Sequence, residues 1–196
     1  MSEGRQFLEQ ALAPAAETPV HLQVELLSHL SYLHAEEGDL AAAIDVGERG
    51  LAEADRFTPA PTEEALVRIS LASAHARAGD HERAVRLAAQ ARAAFEGRGE
   101  HWGVAASVLV EAIGAVGAGD VSRTETFAAI AARHADAIAY EAFQVPAALI
   151  AAWVAEQRDD LDAAALAYRR ALDLAEAVAM GDHASFALAG LGANDA

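Results

Sequence analysis

Through most of the chain, small and apolar residues recur three and four positions apart with charged residues between them. That spacing puts them on one face of an α-helix. Strand-forming residues are sparse, and alanine, the best intrinsic helix former, is the commonest residue. Caps and breakers divide the pattern into helices near 3–13, 19–37, 39–55, 62–78, 80–96, 100–117, 120–137, 140–157, 160–179 and 182–191. Thr18-Pro19 reads as a start with proline at the first helical position, and Thr62 before Glu63 and Glu64 as another. The clearest loop is Arg56–Pro61, with Pro59 and Pro61. At ~1.5 Å per residue, a helix of about 18 residues spans ~27 Å.

The breakers are periodic. A Gly-Asp or Asp-Asp pair stands at 38–39, 79–80, 119–120 and 159–160, in steps of 41, 40 and 40 residues. In three of the four the glycine suits the left-handed position that ends a helix, and the aspartate suits the cap of the next. Each pair therefore predicts a tight turn inside a helical hairpin. Aligned on these turns, the first helices carry Ser31, Ala72, Ala112 and Ala152 at one register position. The second helices carry Ala43, Ala84, Thr124 and Ala164, then Gly47, Ala88, Ala128 and Tyr168, then Gly50, Ala91, Ala131 and Ala171. Small side chains at fixed spacing let helix backbones approach, so these are the expected seams.

The skeleton resembles the tetratricopeptide repeat, whose pattern runs W-x2-L-G-x2-Y, A-x3-F and a closing Ala and Pro. Leu27, Leu30, Ser31 and His34 fall on the first block of repeat one, and Ala148, Ala151, Ala152 and Ala155 on that of repeat four. The A-x3 step appears as Ala43-Gly47, Ala84-Ala88 and Ala164-Tyr168. The Trp and the closing Pro are missing, and a period near 40 implies longer helices than the standard repeat. Segments 3–12, 99–105 and 187–191 look similar to the helical-repeat regions of large bacterial ATP-dependent transcription regulators of the LuxR and SARP kinds. Such regions are thought to sense inducers or partners. The resemblance implies one all-α domain over 1–196, a right-handed superhelix of hairpins at about 19–55, 62–96, 100–137 and 140–179. A leading helix at 3–13 and a closing helix at 182–191 complete it, the latter offering Phe186, Leu188 and Leu191 to cover the last face.

Composition narrows the partners. The net charge is −16, and all fourteen basic residues are arginine. Such a surface is repelled by phosphate backbones and anionic membranes, so no direct nucleic-acid or membrane partner is expected. Cysteine is absent, which excludes disulfides and thiolate chemistry. The opening Met1-Ser2-Glu3-Gly4-Arg5 lacks a signal-peptide layout, and no apolar run approaches the ~20 residues of a membrane span, so a cytoplasmic protein is expected.

Candidate chemistry is thin. His29 and His34 are five apart and His75 and His81 straddle a turn, so neither pair has the i, i+4 spacing of a metal site. His34 and His75 occupy the repeat's usual tyrosine position and are expected to pack with a satisfied ring nitrogen. Glu36-Glu37, Glu63-Glu64 and Asp159-Asp160 read as caps and solvated faces. Gly97-x-Gly99 follows no strand, and Ser107 and Ser185 have no His–acid pair nearby in sequence. No catalytic residue, metal or cofactor is expected; an enzyme with an unrecognised site is the remote alternative.

The first helices of stacked hairpins line the inner groove. The register gives Glu25, Ser28, Tyr32 and Glu36, then Leu66, Ile69, Ser73 and Arg77, then Leu109, Ile113 and Val116, then Leu149, Trp153 and Glu156. From this stripe Ser28, Tyr32, Ile69, Ser73, Arg77, Leu109, Ile113, Trp153 and Glu156 are the candidate binding residues, with the aliphatics equally suited to core. Arg77, a lone cation in an apolar channel, suits an acidic partner group. Chaperone-binding relatives hold a peptide carboxylate here with Lys, Asn and Arg; Ser28, Tyr32, Ile69 and Ser73 stand in their place. The expected function is a sensor or scaffold module of a bacterial regulatory system, holding a protein, peptide or small apolar effector in the groove. A constitutive protein–protein scaffold is the alternative, and a homodimer is compatible with either.

Overall fold

A computed structural model describes residues 3–12, 18–56, 61–138 and 141–194. Among them are ten helices and no strand: α1 (Glu3–Leu12), α2 (Val20–Glu36), α3 (Leu40–Asp55), α4 (Pro61–Arg77), α5 (His81–Glu96), α6 (His101–Gly117), α7 (Val121–Ile138), α8 (Glu141–Gln157), α9 (Leu161–Ala177) and α10 (Gly181–Asn194). The fold is all-helical. The expected helices differ from these only at their ends. Pro19 caps α2 from outside, with extended backbone at φ −54° and ψ 139°, and does not enter the first turn as its sequence context suggests. Pro61, expected in a loop, opens α4; residues 57–60 of that loop, and the expected end of the leading helix at residue 13, lie outside the described residues. The closing helix runs to Asn194 and not to 191.

The four periodic turns share one geometry. Asp39, Asp80, Asp120 and Asp160 donate their N–H to the carbonyls of His34, His75, Ala115 and Ala155 at 2.9–3.0 Å, closing the preceding helix in a Schellman turn. Their carboxylates then accept from Ala42, Arg83, Arg123 and Ala163 N–H, capping the next helix. The residue between is left-handed: Gly38, Gly79 and Gly119 lie at φ +71° to +86°, and Asp159 adopts the same turn at φ +59°. The links between hairpins use it too where they are described. Gly99 (φ +69°) precedes Glu100, and Ala179 (φ +58°) precedes Met180, each with the same long backbone bond.

Packing follows the small-residue register. Ser31, Ala72, Ala112 and Ala152 are 0% exposed, as are Ala43, Ala84, Thr124 and Ala164. Gly47, Ala88, Ala128, Tyr168, Gly50, Ala91, Ala131 and Ala171 are also buried. The buried hydroxyls are satisfied locally, Ser31 Oγ on the Ala43 carbonyl and Thr124 Oγ1 on that of Asp120. Where a large ring must cross a seam, a glycine faces it. A Cβ at Gly103 of α6 would overlap the Phe95 ring, and one at Gly190 of α10 would overlap that of Tyr168. Phe95 with Val104, Val108 and Leu109 centres the largest apolar cluster, between α4 and α8.

Helix contacts run along the chain. Each helix meets the next, and the first helices also meet one another, α2 with α4, α4 with α6, α6 with α8 and α8 with α10. The backbones of the second helices α3, α5, α7 and α9 do not approach one another in this way among the described residues, although Arg83 of α5 donates to Glu48 Oε1 of α3 at 2.6 Å. The end of the stack departs from expectation: Ala187 is fully buried and Leu191 partly so, whereas Phe186 and Leu188 are 73% and 55% exposed. Gly190 brings α10 so close to Tyr168 that alanine fits that seam.

Two sets of buried charged or titratable groups interrupt the core. His34 and His75 pack inside as expected, with Nδ1 3.8 and 3.7 Å from the carboxylates of the turn aspartates. His34 Nδ1 and His75 Nε2 are buried without a hydrogen-bond partner among protein atoms. Burial, aided by Arg83, lowers the His75 pKa. Glu111 of α6 is 1% exposed and faces Arg92 of α5. Arg92 Nη2 donates to its Oε1 at 3.4 Å, and Nε approaches Oε2 at 2.8 Å but out of line for a hydrogen bond. The equivalent positions of the first two repeats hold Leu30 and Leu71.

Left-handed backbone at a residue with a Cβ costs roughly 1–2 kcal/mol, partly offset by the greater unfolded-state freedom of glycine. Asp159→Gly and Ala179→Gly are therefore each expected to stabilise the protein, by up to about 1 kcal/mol in urea unfolding. Gly79→Ala is expected to destabilise it by a similar amount. For Glu111, burial raises the pKa and outweighs the pull of Arg92. A carboxyl with a raised folded-state pKa supports folding most fully below its unfolded pKa, and that support is lost as pH rises through the folded value. The stability of Glu111→Gln relative to the native protein should accordingly increase as pH rises from 4 upward. A difference that stays flat or falls shows that Arg92 dominates.

Candidate functional site

Because the first helices pack closely on one another, their faces turned away from the second helices run side by side. The register position six residues before each turn shows this face: Tyr32 and Ile113 are 47% and 44% exposed, and Ser73 and Trp153 are half-buried. One residue earlier lie Ser31, Ala72, Ala112 and Ala152, all fully buried. A step of one residue along a helix thus separates seam from surface.

A cavity of about 510 Å³ opens on this face. α2 contributes Glu36, α4 Arg77, α6 Ile113 and Val116, and α8 Pro146, Leu149, Ile150 and Trp153. Tyr168 of α9 and Asp182, His183 and Phe186 of α10 complete the wall. The middle is apolar and aromatic, with polar groups at both ends, the composition of a ligand or peptide groove. Pro146 lies inside α8 and has no N–H, so it cannot bond the carbonyl of Ala142 four residues back.

At one end Arg77 and Glu36 form an ion pair between α4 and α2. Arg77 is thus not the lone cation expected from sequence. Tyr32 stands beside this pair; partial burial and the Glu36 charge raise its pKa, against the pull of Arg77. At the other end Tyr168 donates its hydroxyl to Glu156 Oε1 at 2.9 Å. Burial and that bond push the Tyr168 pKa up to about 12.

Of the nine candidate residues, the cavity brings together Arg77, Ile113 and Trp153, with Glu156 one hydrogen bond behind through Tyr168. Ile69 and Ser73 are half-buried, and Ile69 packs against two core clusters. Ser28 is buried, its hydroxyl 3.1 Å from that of Ser70, and Leu109 lies in the central core, so neither faces the groove. Sequence reasoning missed Tyr168 and all of the α10 wall. Tyr168 carried a signal: it is the one large residue in a register otherwise held by Gly47, Ala88 and Ala128. The α10 residues lie beyond the fourth turn, where no repeat register exists.

A second cavity, of about 540 Å³, lies on the other face of α8, between α7 and α9. Alanines floor it, with Leu166 at its edge, and Arg158 bridges to Glu125 by two bonds of 2.9 and 2.6 Å. His101 and His134 also meet, Nδ1 to Nδ1 at 3.0 Å, and burial together with His101 lowers the His134 pKa. Among the described residues no group of three or more His, Asp or Glu is placed to hold a metal ion. Ser107 and Ser185 donate their hydroxyls to the carbonyls of Gly103 and Gly181. No described helix is long and apolar enough to cross a membrane.

No protein-family model matches the sequence, and no curated protein does. Among solved structures, the crystal structure of BtubC (BKLC) from P. vanneervenii is similar in fold, with a TM-score of 0.75 at 21% identity over 97% of this chain and 80% of that one. The likeness is one of helical fold.

Tyr168→Phe removes the donor to Glu156 and leaves that carboxylate half-buried. A loss of about 1–2 kcal/mol in unfolding free energy is expected. In a near-ultraviolet titration, the highest-titrating tyrosine should disappear in this variant; its persistence would place the raised pKa elsewhere.

Proposed function

We propose that this protein is a binding module, not an enzyme, that holds an effector or partner in the groove along its first helices. The observation that carries the reading is the cavity itself: α2, α4, α6, α8 and α10 all contribute to one apolar wall with polar ends. A surface assembled from every hairpin responds to ligand as a unit, since filling it tightens contacts between hairpins that otherwise touch only their neighbours. In this reading the chain is a tetratricopeptide-like right-handed superhelix with the groove on its concave side. It serves as the sensor part of a bacterial cytoplasmic regulatory system of the LuxR or SARP kind. The fourfold register and the stacking of first helices on first helices support the arrangement, and the similar segments 3–12, 99–105 and 187–191 support the regulatory setting. A second reading, a constitutive protein–protein scaffold or homodimer, draws on Leu166 and Leu188, which are 67% and 55% exposed outside the groove wall.

Native mass spectrometry of the purified chain reports bound ligand and oligomeric state together. For the ligand or partner so found, Trp153→Ala is expected to weaken affinity roughly thirtyfold, the loss of a ~2 kcal/mol hot spot. The melting temperature should stay within a few degrees, because Trp153 is only half-buried. Unchanged affinity in a folded variant would remove the groove from the reading. An unfolded variant would assign Trp153 to the core.

A further inference from the structure

Charge along the groove is uneven. Arg77 is the one arginine among the described residues that line it, His183 at the α10 end being the other basic side chain, and Glu36 already occupies the Arg77 guanidinium. An acidic ligand group arriving there meets a neutralised arginine. The α10 end is different. Asp182 lines the cavity, and Glu156 stands behind Tyr168 with one oxygen accepting from the phenol. Neither carboxylate has a cation partner among the described residues. Between the two ends lie Ile113, Leu149, Trp153 and Phe186, with Phe186 73% exposed and Ile113 44%. A small ligand seated in the cavity would leave Phe186 largely in water, whereas a peptide segment lying along the five helices covers it.

Resting on the binding role proposed above, we infer that the occupant is a basic amphipathic peptide segment. Its apolar side chains lie against Ile113, Leu149, Trp153 and Phe186, and a lysine or arginine reaches Glu156 and Asp182 at the α10 end. The cation supplies the partner these carboxylates lack and forms charge-assisted hydrogen bonds beside an apolar wall, where water competes least. The chain's charge of −16 draws such a segment in and repels acidic competitors.

The test uses three synthetic helical peptides with the same leucine face and with Lys, Gln or Glu at the polar positions. Each is titrated into the full chain carrying Trp102→Phe, which leaves Trp153 as the sole tryptophan reporter. The Lys peptide should shift Trp153 fluorescence and bind about tenfold more tightly than the Gln peptide, and the Glu peptide more weakly still. Glu156→Gln with Asp182→Asn should bring the Lys peptide down to the Gln peptide's affinity and leave the Gln peptide unaffected. Glu82→Gln with Asp173→Asn, on α5 and α9 away from the groove, should change neither. Equal binding of Lys and Gln peptides at Trp153 overturns the inference and leaves the groove reading standing. Equal losses from the two double variants reduce the effect to general attraction and overturn it as well. No response of Trp153 to any of the three peptides overturns the inference, while the groove reading is decided by the effect of Trp153→Ala on the ligand found by native mass spectrometry.

Discussion

Helix backbones come close only where the facing side chains are small. Here that constraint is met at one register position of the first helices and three of the second, all buried in every repeat. Alanine fills most of these positions, so little of the seam's stability comes from any one large side chain. It comes from close packing summed along the stack, with many weak dispersion contacts at short range. The ring–glycine pairs Phe95 with Gly103, Tyr168 with Gly190 and His81 with Gly117 show the same rule under load: a ring comes this close to a helix where its neighbour gives up a Cβ.

The turns serve the seam. Backbone closure of one helix and carboxylate capping of the next set each helix end to the residue, and so fix which residues face inward. With small residues and backbone holding the helices together, the larger apolar groups of the first helices are free to line a surface. Ile113, Trp153 and Phe186 stand partly in solvent while neighbouring alanines are sealed. The arginines are similarly divided. Arg77, Arg83 and Arg158 bridge to glutamates of adjacent helices at the surface, where such pairs add little stability but help set register. Among the described residues, Arg92 alone meets a carboxylate buried in the core, Glu111.

Much of the architecture was legible in the chain. The 40-residue spacing of Gly-Asp pairs located the turns, and the small-residue register located the seams, because both follow from local backbone chemistry and helical period. The ends of helices were less legible. Pro19 and Pro61 each sit one place from expectation, since proline suits both the cap and the first turn. The candidate site was legible in part. Arg77, Ile113 and Trp153 meet at one cavity, but Ser28 and Leu109 turn inward. A stripe three to four residues wide straddles the boundary between seam and groove, and sequence spacing alone does not say which edge faces in.

Sequence by itself therefore determined the helices, their pairing into hairpins and the small residues between them, all properties of neighbours along the chain. Only the tertiary structure decided what those hairpins leave exposed. It joined Glu36 of the first hairpin to Asp182 and Phe186 of the closing helix in one cavity, placed Glu156 under the Tyr168 hydroxyl, neutralised Arg77 with Glu36, and turned Phe186 and Leu188 outward. The physical reason is that each of these contacts depends on the angle at which successive hairpins stack. That angle is set by side-chain packing across every seam at once and is encoded in no single stretch of sequence.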